Sequence, residues 1–263
     1  MKLEEALITF YRRMRPKKYG WFGNYNNWQE ALSQCGGYNA GEILERVKSA
    51  TLKVKSGEAV YERDAVLFDH IEYSWPLVSA LLKIGMQNNR QIKVIDFGGS
   101  LGSSYFQNRQ FLDDFDLVEW NVIEQENYVE CGQQFIQDHE LKFFKTVEEC
   151  IANKGLPHLL LLSCTLPYIE KPYELLEYLT AKGIPYFMID NTIFNNNGKD
   201  RLMIQKVNPA IYPASYPCWI LDYEKVQDIV KTRYQVNFEH INDNKIELDG
   251  KFVNYKGFLA ELK

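Results

Sequence analysis

From Val94 onward the chain alternates short apolar runs with amphipathic stretches of helical period. One of those runs, Leu159–Leu162 within HLLLLSC, has no polar face at all. A strand that is apolar on both sides must be covered on both sides, as in the centre of a parallel sheet. KVIDF, LVEWNVIE, LKFF, HLLLLSC and PYFMID read as strands, with YFQNRQFLDDF, YVECGQQFIQD, TVEECIANK and KPYELLEYLTAKG as intervening helices. The last has Pro172 near its start and Gly183 at its end, which suits helix punctuation. This β/α alternation predicts a mostly parallel sheet with right-handed crossovers.

Both ends depart from that pattern. DYEKVQDIVKTRY reads as a helix, and YQVNFEHIN and FVNYKGFLAEL as two strands joined by a polar turn containing Asp249-Gly250. No helix fits between them, so they should form an antiparallel hairpin. Before Val94 the stretches LEEALITFYRRM, WQEALSQC, AGEILERVKSATLKV and ERDAVLFDHIEYSWPLVSALLKI read as mainly helical, with a break near Pro76. Residues 1–90 are expected to form a helical cap on an α/β domain of residues 91–263. The aromatic stripe Tyr19, Trp21, Phe22, Tyr25 and Trp28 is expected mainly to pack that cap.

Composition narrows the function. With 46% hydrophobic residues in 263, the chain can bury a sizeable core. A net charge of −5 argues against a general nucleic-acid face but leaves room for a local basic pocket. Five dispersed cysteines without a CxxC pair suit reduced thiols in the cytoplasm, and four scattered histidines form no metal set. The first residues carry acids among the apolar ones, unlike a signal peptide. No run of about 18 apolar residues suggests a membrane span.

The loop DFGGSLGSS follows the first parallel strand, where open α/β sheets bind ligands. Ser100 and Ser103 break the GxGxxG dinucleotide fingerprint, and no lysine follows Gly102 as a phosphate-binding loop requires. What fits is an acid-x-Gly-x-x-x-Gly pattern formed by Asp96, Gly98 and Gly102, with Gly99 inside it. Glu124 ends the next strand, where a carboxylate can accept hydrogen bonds from both hydroxyls of a ribose.

This combination resembles the first motif of class I S-adenosylmethionine-dependent methyltransferases. The blocks YERDAVLFD, DFGGSLGSSYFQNR, IEQENYVECG and IYPASYPCWIL further resemble a bacterial methyltransferase family associated with genes for capsule and lipopolysaccharide assembly. The resemblance implies an α/β fold: a Rossmann-like seven-stranded methyltransferase sheet, mostly parallel with a terminal antiparallel hairpin, plus the N-terminal helical cap. It implies S-adenosylmethionine as cofactor, held by Asp96, Gly98, Gly99, Gly102, Glu124, Gln125 and Ser163. Cys164 and Thr165 would stand beside the methionine end.

Methyl transfer to a hydroxyl usually needs a base, and the candidates are His70, Asp190, Tyr168 and Glu72. Tyr61, Arg63, Arg109, Arg201, Gln205, Tyr212 and Tyr216 are candidate acceptor contacts. Arg63 and His70 would share a helix face two turns apart, and Arg201 and Gln205 would share another. Arginines near a pocket in an acidic protein suggest an anionic acceptor. The resemblance points to a sugar-linked one: a nucleotide sugar, a phosphorylated sugar or a phosphoramidate group. Two rival readings stand beside this: a non-catalytic binding protein of the same fold, and a nicotinamide-dependent sugar enzyme. The second lacks its third glycine and a well-placed Tyr-x-x-x-Lys pair.

Overall fold

The computed structural model describes residues 18–37 and 40–263, so the helix expected in LEEALITFYRRM lies outside the described residues. The described residues open with β1 (Gly20–Tyr25), α1 (Trp28–Ser33), α2 (Ala40–Ser56), a hairpin of β2 (Tyr61–Arg63) and β3 (Val66–Phe68), and α3 (Trp75–Gln87). The central unit runs β4 (Gln91–Phe97), α4 (Ser103–Asn108), β5 (Leu117–Ile123), α5 (Glu126–Cys131), β6 (Leu141–Phe144), α6 (Val147–Lys154), β7 (Leu159–Ser163), α7 (Pro172–Thr180) and β8 (Tyr186–Asn195). It continues through β9 (Arg201–Lys206), β10 (Ser215–Asp222), α8 (Tyr223–Lys231), β11 (Tyr234–Leu248) and β12 (Lys251–Leu262).

β6, β5, β4, β7 and β8 lie parallel in that spatial order. β12 is inserted antiparallel between β8 and β11. These seven strands form the mostly parallel arrangement with a terminal antiparallel hairpin expected from the sequence, and β10, β9 and β1, joined through the end of β8, extend it to a ten-stranded sheet. Alternation along the strands divides the core between the two faces. Val94, Leu159 and Leu161 join Leu77, Leu81 and Ile84 of α3. Ile95, Leu160 and Leu162 join Leu176 and Leu179 of α7 and Val226 and Val230 of α8. Leu159–Leu162 are all fully buried, which explains the absence of a polar face. Each such side chain contributes roughly 1.5–3 kcal/mol.

Three expectations change. YERDAVLF is the β2–β3 hairpin and not a helix, because Asp64 and Ala65 adopt left-handed φ values of 53° and 66° in a two-residue turn. Helix α3 starts only at Trp75, with Pro76 in its first turn. YGWFGNY, expected between cap helices, contains β1, which pairs antiparallel with β9, itself antiparallel to β10. Its partner lies some 180 residues away in sequence, as in Trp21 opposite Gln205, so no local pattern announced it. Trp28 stacks on Trp219 at 6.4 Å, so that aromatic packs. No helix among the described residues is long and apolar enough to cross a membrane.

Candidate functional site

The carboxyl ends of β4, β5, β7 and β8 open into a cleft of about 1400 Å³. The glycine loop forms one wall. Gly98 N–H donates to Ile123 O at 2.9 Å, which ties the loop to β5. Thr165 Oγ1 donates to Phe97 O at 2.9 Å, which ties β4 to the segment after β7. Gly98 has φ +74°, and a Cβ there would collide with Thr165 Cγ2. A Cβ on Gly99 would lie 2.5 Å from Asp96 Cγ. The loop therefore rests directly on the Asp96 carboxyl.

That carboxyl is fully buried. Trp120 Nε1 donates to Oδ2 at 3.1 Å, and Oδ1 has no partner among the described residues. Burial pushes Asp96 up to about 7, against the Trp120 hydrogen bond and together with repulsion from Glu124. Glu124 is raised by burial too, opposed by hydrogen bonds from the Gln125 N–H at 2.8 Å and the Ser100 N–H at 3.2 Å. At this corner Glu124 lines the cleft with two backbone donors drawn onto its carboxyl, while Asp96 lies beneath the glycine loop.

The same cleft is lined by Tyr61 and Arg63 of the hairpin, by Ser163, Cys164 and Tyr168 at and beyond the end of β7, and by Asp190 of β8. Ser163 is in register with Asp190. Arg63 pairs with Glu72 at 2.7 Å, both half-exposed. Ser100 and Cys164, just beyond β4 and β7, and Asn191, inside β8 where its pairing with β7 stops, all hold positive φ, between 49° and 55°. Strained backbone of this kind costs about 1–3 kcal/mol per residue and clusters at functional sites.

Gly98, Gly99, Glu124, Gln125, Ser163, Tyr61, Arg63, Tyr168, Asp190, Glu72 and Tyr212 all line the cleft. Others do not. Gly102 serves the core: its φ is +93° and a Cβ would sit 2.9 Å from Leu141 Cδ2. His70 follows the hairpin with its side chain 65% exposed, bonded through Nδ1 to Asp69 Oδ1 at 2.6 Å, so it shares no helix face with Arg63. Arg109 is exposed, with its guanidinium 6.0 Å from the Tyr105 ring centroid. Arg201 pairs with Asp249 of the β11–β12 turn and with Gly23 O, so it joins β9 to two other segments. Arg201 and Gln205 lie on a strand, not a helix. Gln205 accepts from Tyr168 OH at 2.8 Å, and Tyr216 meets the Tyr168 ring edge-on at 5.4 Å, so both lie behind Tyr168. The Tyr168 hydroxyl is raised well above its ordinary value by burial, and its proton is committed to Gln205.

Sequence reasoning missed several groups. Glu62, 1% exposed, accepts from Ser103 Oγ and latches the hairpin to α4; burial pushes it up to about 7, against that hydrogen bond. Trp75 lines the cleft at 60% exposure, braced by Tyr73 and Phe111. Lys245 reaches the cleft from β11, where a register shift between Ile241 and Lys245 interrupts the ladder. His240 bonds Asp190. Only Trp75, an aromatic beside a helix-opening proline, left a local signal.

No family model and no curated protein matches the chain. Solved structures with similar folds include the N-terminal domain of EvdMO1 in the presence of SAH and D-fucose. That match has 11% identity over 86% of this chain and 98% of that one, with a TM-score of 0.47. Magnesium protoporphyrin IX methyltransferase (ChlM) from Synechocystis PCC 6803 with bound SAH is 10% identical over 72% of this chain and 82% of that one, TM-score 0.47. An S-adenosylmethionine-dependent methyltransferase from Clostridium acetobutylicum ATCC 824 is 10% identical over 73% and 92%, TM-score 0.47. With TM-scores under 0.5, these likenesses leave the fold resting on the strand order and the site on its own geometry.

Proposed function

We propose that this chain is an S-adenosylmethionine-dependent methyltransferase. One observation carries the reading. A glycine loop after the first parallel strand lies between the buried Asp96 and the strand-end Glu124, at the head of a cleft large enough for two ligands. The residues fit the cofactor. Asp96 Oδ1 is a buried acceptor without a partner, suited to a nearby ammonium. Glu124 accepts one backbone N–H on each oxygen and keeps lone pairs for two ribose hydroxyls. Gly98 and Gly99 keep the loop low enough for close approach.

Bound there, S-adenosylmethionine supplies an electrophilic methyl group for in-line displacement. The chain's part is alignment, with Ser163, Cys164 and Asp190 at the strand ends facing the acceptor side. In this proposal Gly102 supports the loop through the core.

For the acceptor we propose an anionic sugar-linked precursor of a surface polysaccharide. Arg63 supports this, as does Lys245, which lines the same cleft and pairs with no carboxylate among the described residues. Arg109 and Arg201 leave the proposal, because each is engaged away from the cleft.

Calorimetry with S-adenosylmethionine and its demethylated product tests the cofactor, and absence of binding by the folded protein defeats the reading. Glu124→Ala is expected to weaken binding by about 1–3 kcal/mol, roughly 5- to 150-fold in Kd. Arg63→Ala is expected to raise acceptor KM while cofactor affinity is unchanged. Arg201→Ala should lower thermal stability and leave KM unaltered. If both variants behave alike in acceptor kinetics, the placement of the anionic group at Arg63 is wrong.

A further inference from the structure

We propose that Asp190 is the proton acceptor of the cleft, held for that task by His240 as a positioning residue, and that the methyl-accepting group is an un-ionised hydroxyl. This rests on the methyltransferase reading.

Asp190 stands where the pairing of β8 with β7 stops and lines the cleft beside Ser163 and Cys164. Its Oδ1 lies 2.8 Å from His240 Nε2 on β11, and the two side chains are 2% and 8% exposed. Oδ2 accepts no hydrogen bond among the described residues. His240 Nδ1 is buried without a partner. A bare ring nitrogen is less costly to bury than an unsatisfied N–H, so the proton belongs on Nε2, which donates to Asp190.

The sequence makes room for this pair. Gly257, inside β12 and opposite His240 in the ladder, would with a Cβ strike Ile189 O and lie 2.5 Å from His240 Cε1. Glycine weakens a strand interior and marks close approach, here by the imidazole. The strand thus gives up a side chain at 257 for the ring that donates to Asp190.

The other candidate bases are removed by geometry. His70 is exposed outside the cleft, Tyr168 gives its proton to Gln205, and Glu72 is paired with Arg63. The step balances. The hydroxyl proton passes to Asp190 Oδ2, the oxygen lone pair forms the C–O bond to the methyl group, and the C–S electrons return to sulfur. An already ionised phosphate oxygen would need no such base. The anionic group of the acceptor is therefore a handle, and a separate hydroxyl reacts.

Two measurements test this. Nitrogen-15 spectra of histidine-labelled apoprotein should show His240 protonated on Nε2 and bare on Nδ1, with its Nε2–H proton shifted upfield in Asp190→Asn. The opposite tautomer overturns the positioning role whether or not cofactor binds. Labelled methyl transfer is then measured to UDP-glucose, glucose 1-phosphate and methyl α-glucopyranoside. Asp190→Asn should lower kcat by about 10²–10⁴-fold with acceptor KM and cofactor Kd near wild type. His240→Leu should lower kcat at least tenfold, and His240→Gln, whose amide can still donate to Oδ1, should recover most of it. Unchanged kcat in Asp190→Asn, or equal loss in the Leu and Gln variants, overturns the assignment. Failure of the wild type to bind S-adenosylmethionine, with the tautomer as expected, defeats the methyltransferase reading instead.

Discussion

Gly98→Val is expected to abolish S-adenosylmethionine binding, raising Kd more than about 100-fold. Two costs combine. Valine is strongly disfavoured at the φ of +74°, and its Cβ would drive into Thr165, whose hydroxyl joins the ends of β4 and β7. Backbone strain and overpacking each cost about 1–3 kcal/mol. The free loop relieves them by moving, and ligand binding must impose them again. A penalty on the order of 3 kcal/mol corresponds to about 100-fold in Kd. Gly102→Val is the contrast. Its strain falls on Leu141 and the core, so it should lower the melting temperature while the folded fraction binds cofactor much more tightly than Gly98→Val does. Calorimetry on both variants decides, and equal binding loss would mean that the loop acts as one unit with the core.

The second large effect is a loss of stability as the cofactor-free protein is brought from acid to neutral pH. Burial raises Asp96 from 3.8 and Glu62 from 4.5, each to about 7. Between the unfolded and folded values the native state binds more protons than the unfolded chain, so unfolding free energy falls as pH rises. This contribution is fully present below about pH 4 and is gone above about pH 7. For Asp96 the displacement corresponds to on the order of 4 kcal/mol. Urea unfolding at pH 5, 6, 7 and 8 should show the decline, flattened in Asp96→Asn and again in Glu62→Gln. A wild-type decline that survives both substitutions unchanged would place its origin elsewhere. If the cofactor's ammonium settles beside Asp96 it favours the ionised acid, so binding at pH 6 should release a proton, seen as a heat that depends on the buffer.

Most of the central sheet was legible in the sequence because its signals are local. The short apolar runs, among them the wholly apolar Leu159–Leu162, and the Asp249-Gly250 turn each act within a few residues. The loop from Asp96 to Gly102 and the strand-end Glu124 were legible for the same reason: a strand carries its terminal residue to the edge of the sheet wherever its neighbours lie.

The rest was decided by partners distant in the chain. YERDAVLF has no turn glycine, and only packing against α4, with Glu62 latched to Ser103, makes it a hairpin instead of a helix. That choice separates Arg63, which faces the cleft, from His70, which faces solvent. β1 exists because β9 offers it an edge. His240 reads as one scattered histidine until β12 is inserted between β8 and β11 and a glycine at 257 leaves space for its ring beside Asp190. By itself, then, the sequence determined the parallel sheet, the glycine loop and the two acids that flank it, since hydrophobic period and backbone permissiveness act over a few residues. Tertiary structure alone decided which charges face the cleft, because burial and ion pairing depend on groups tens to hundreds of residues apart.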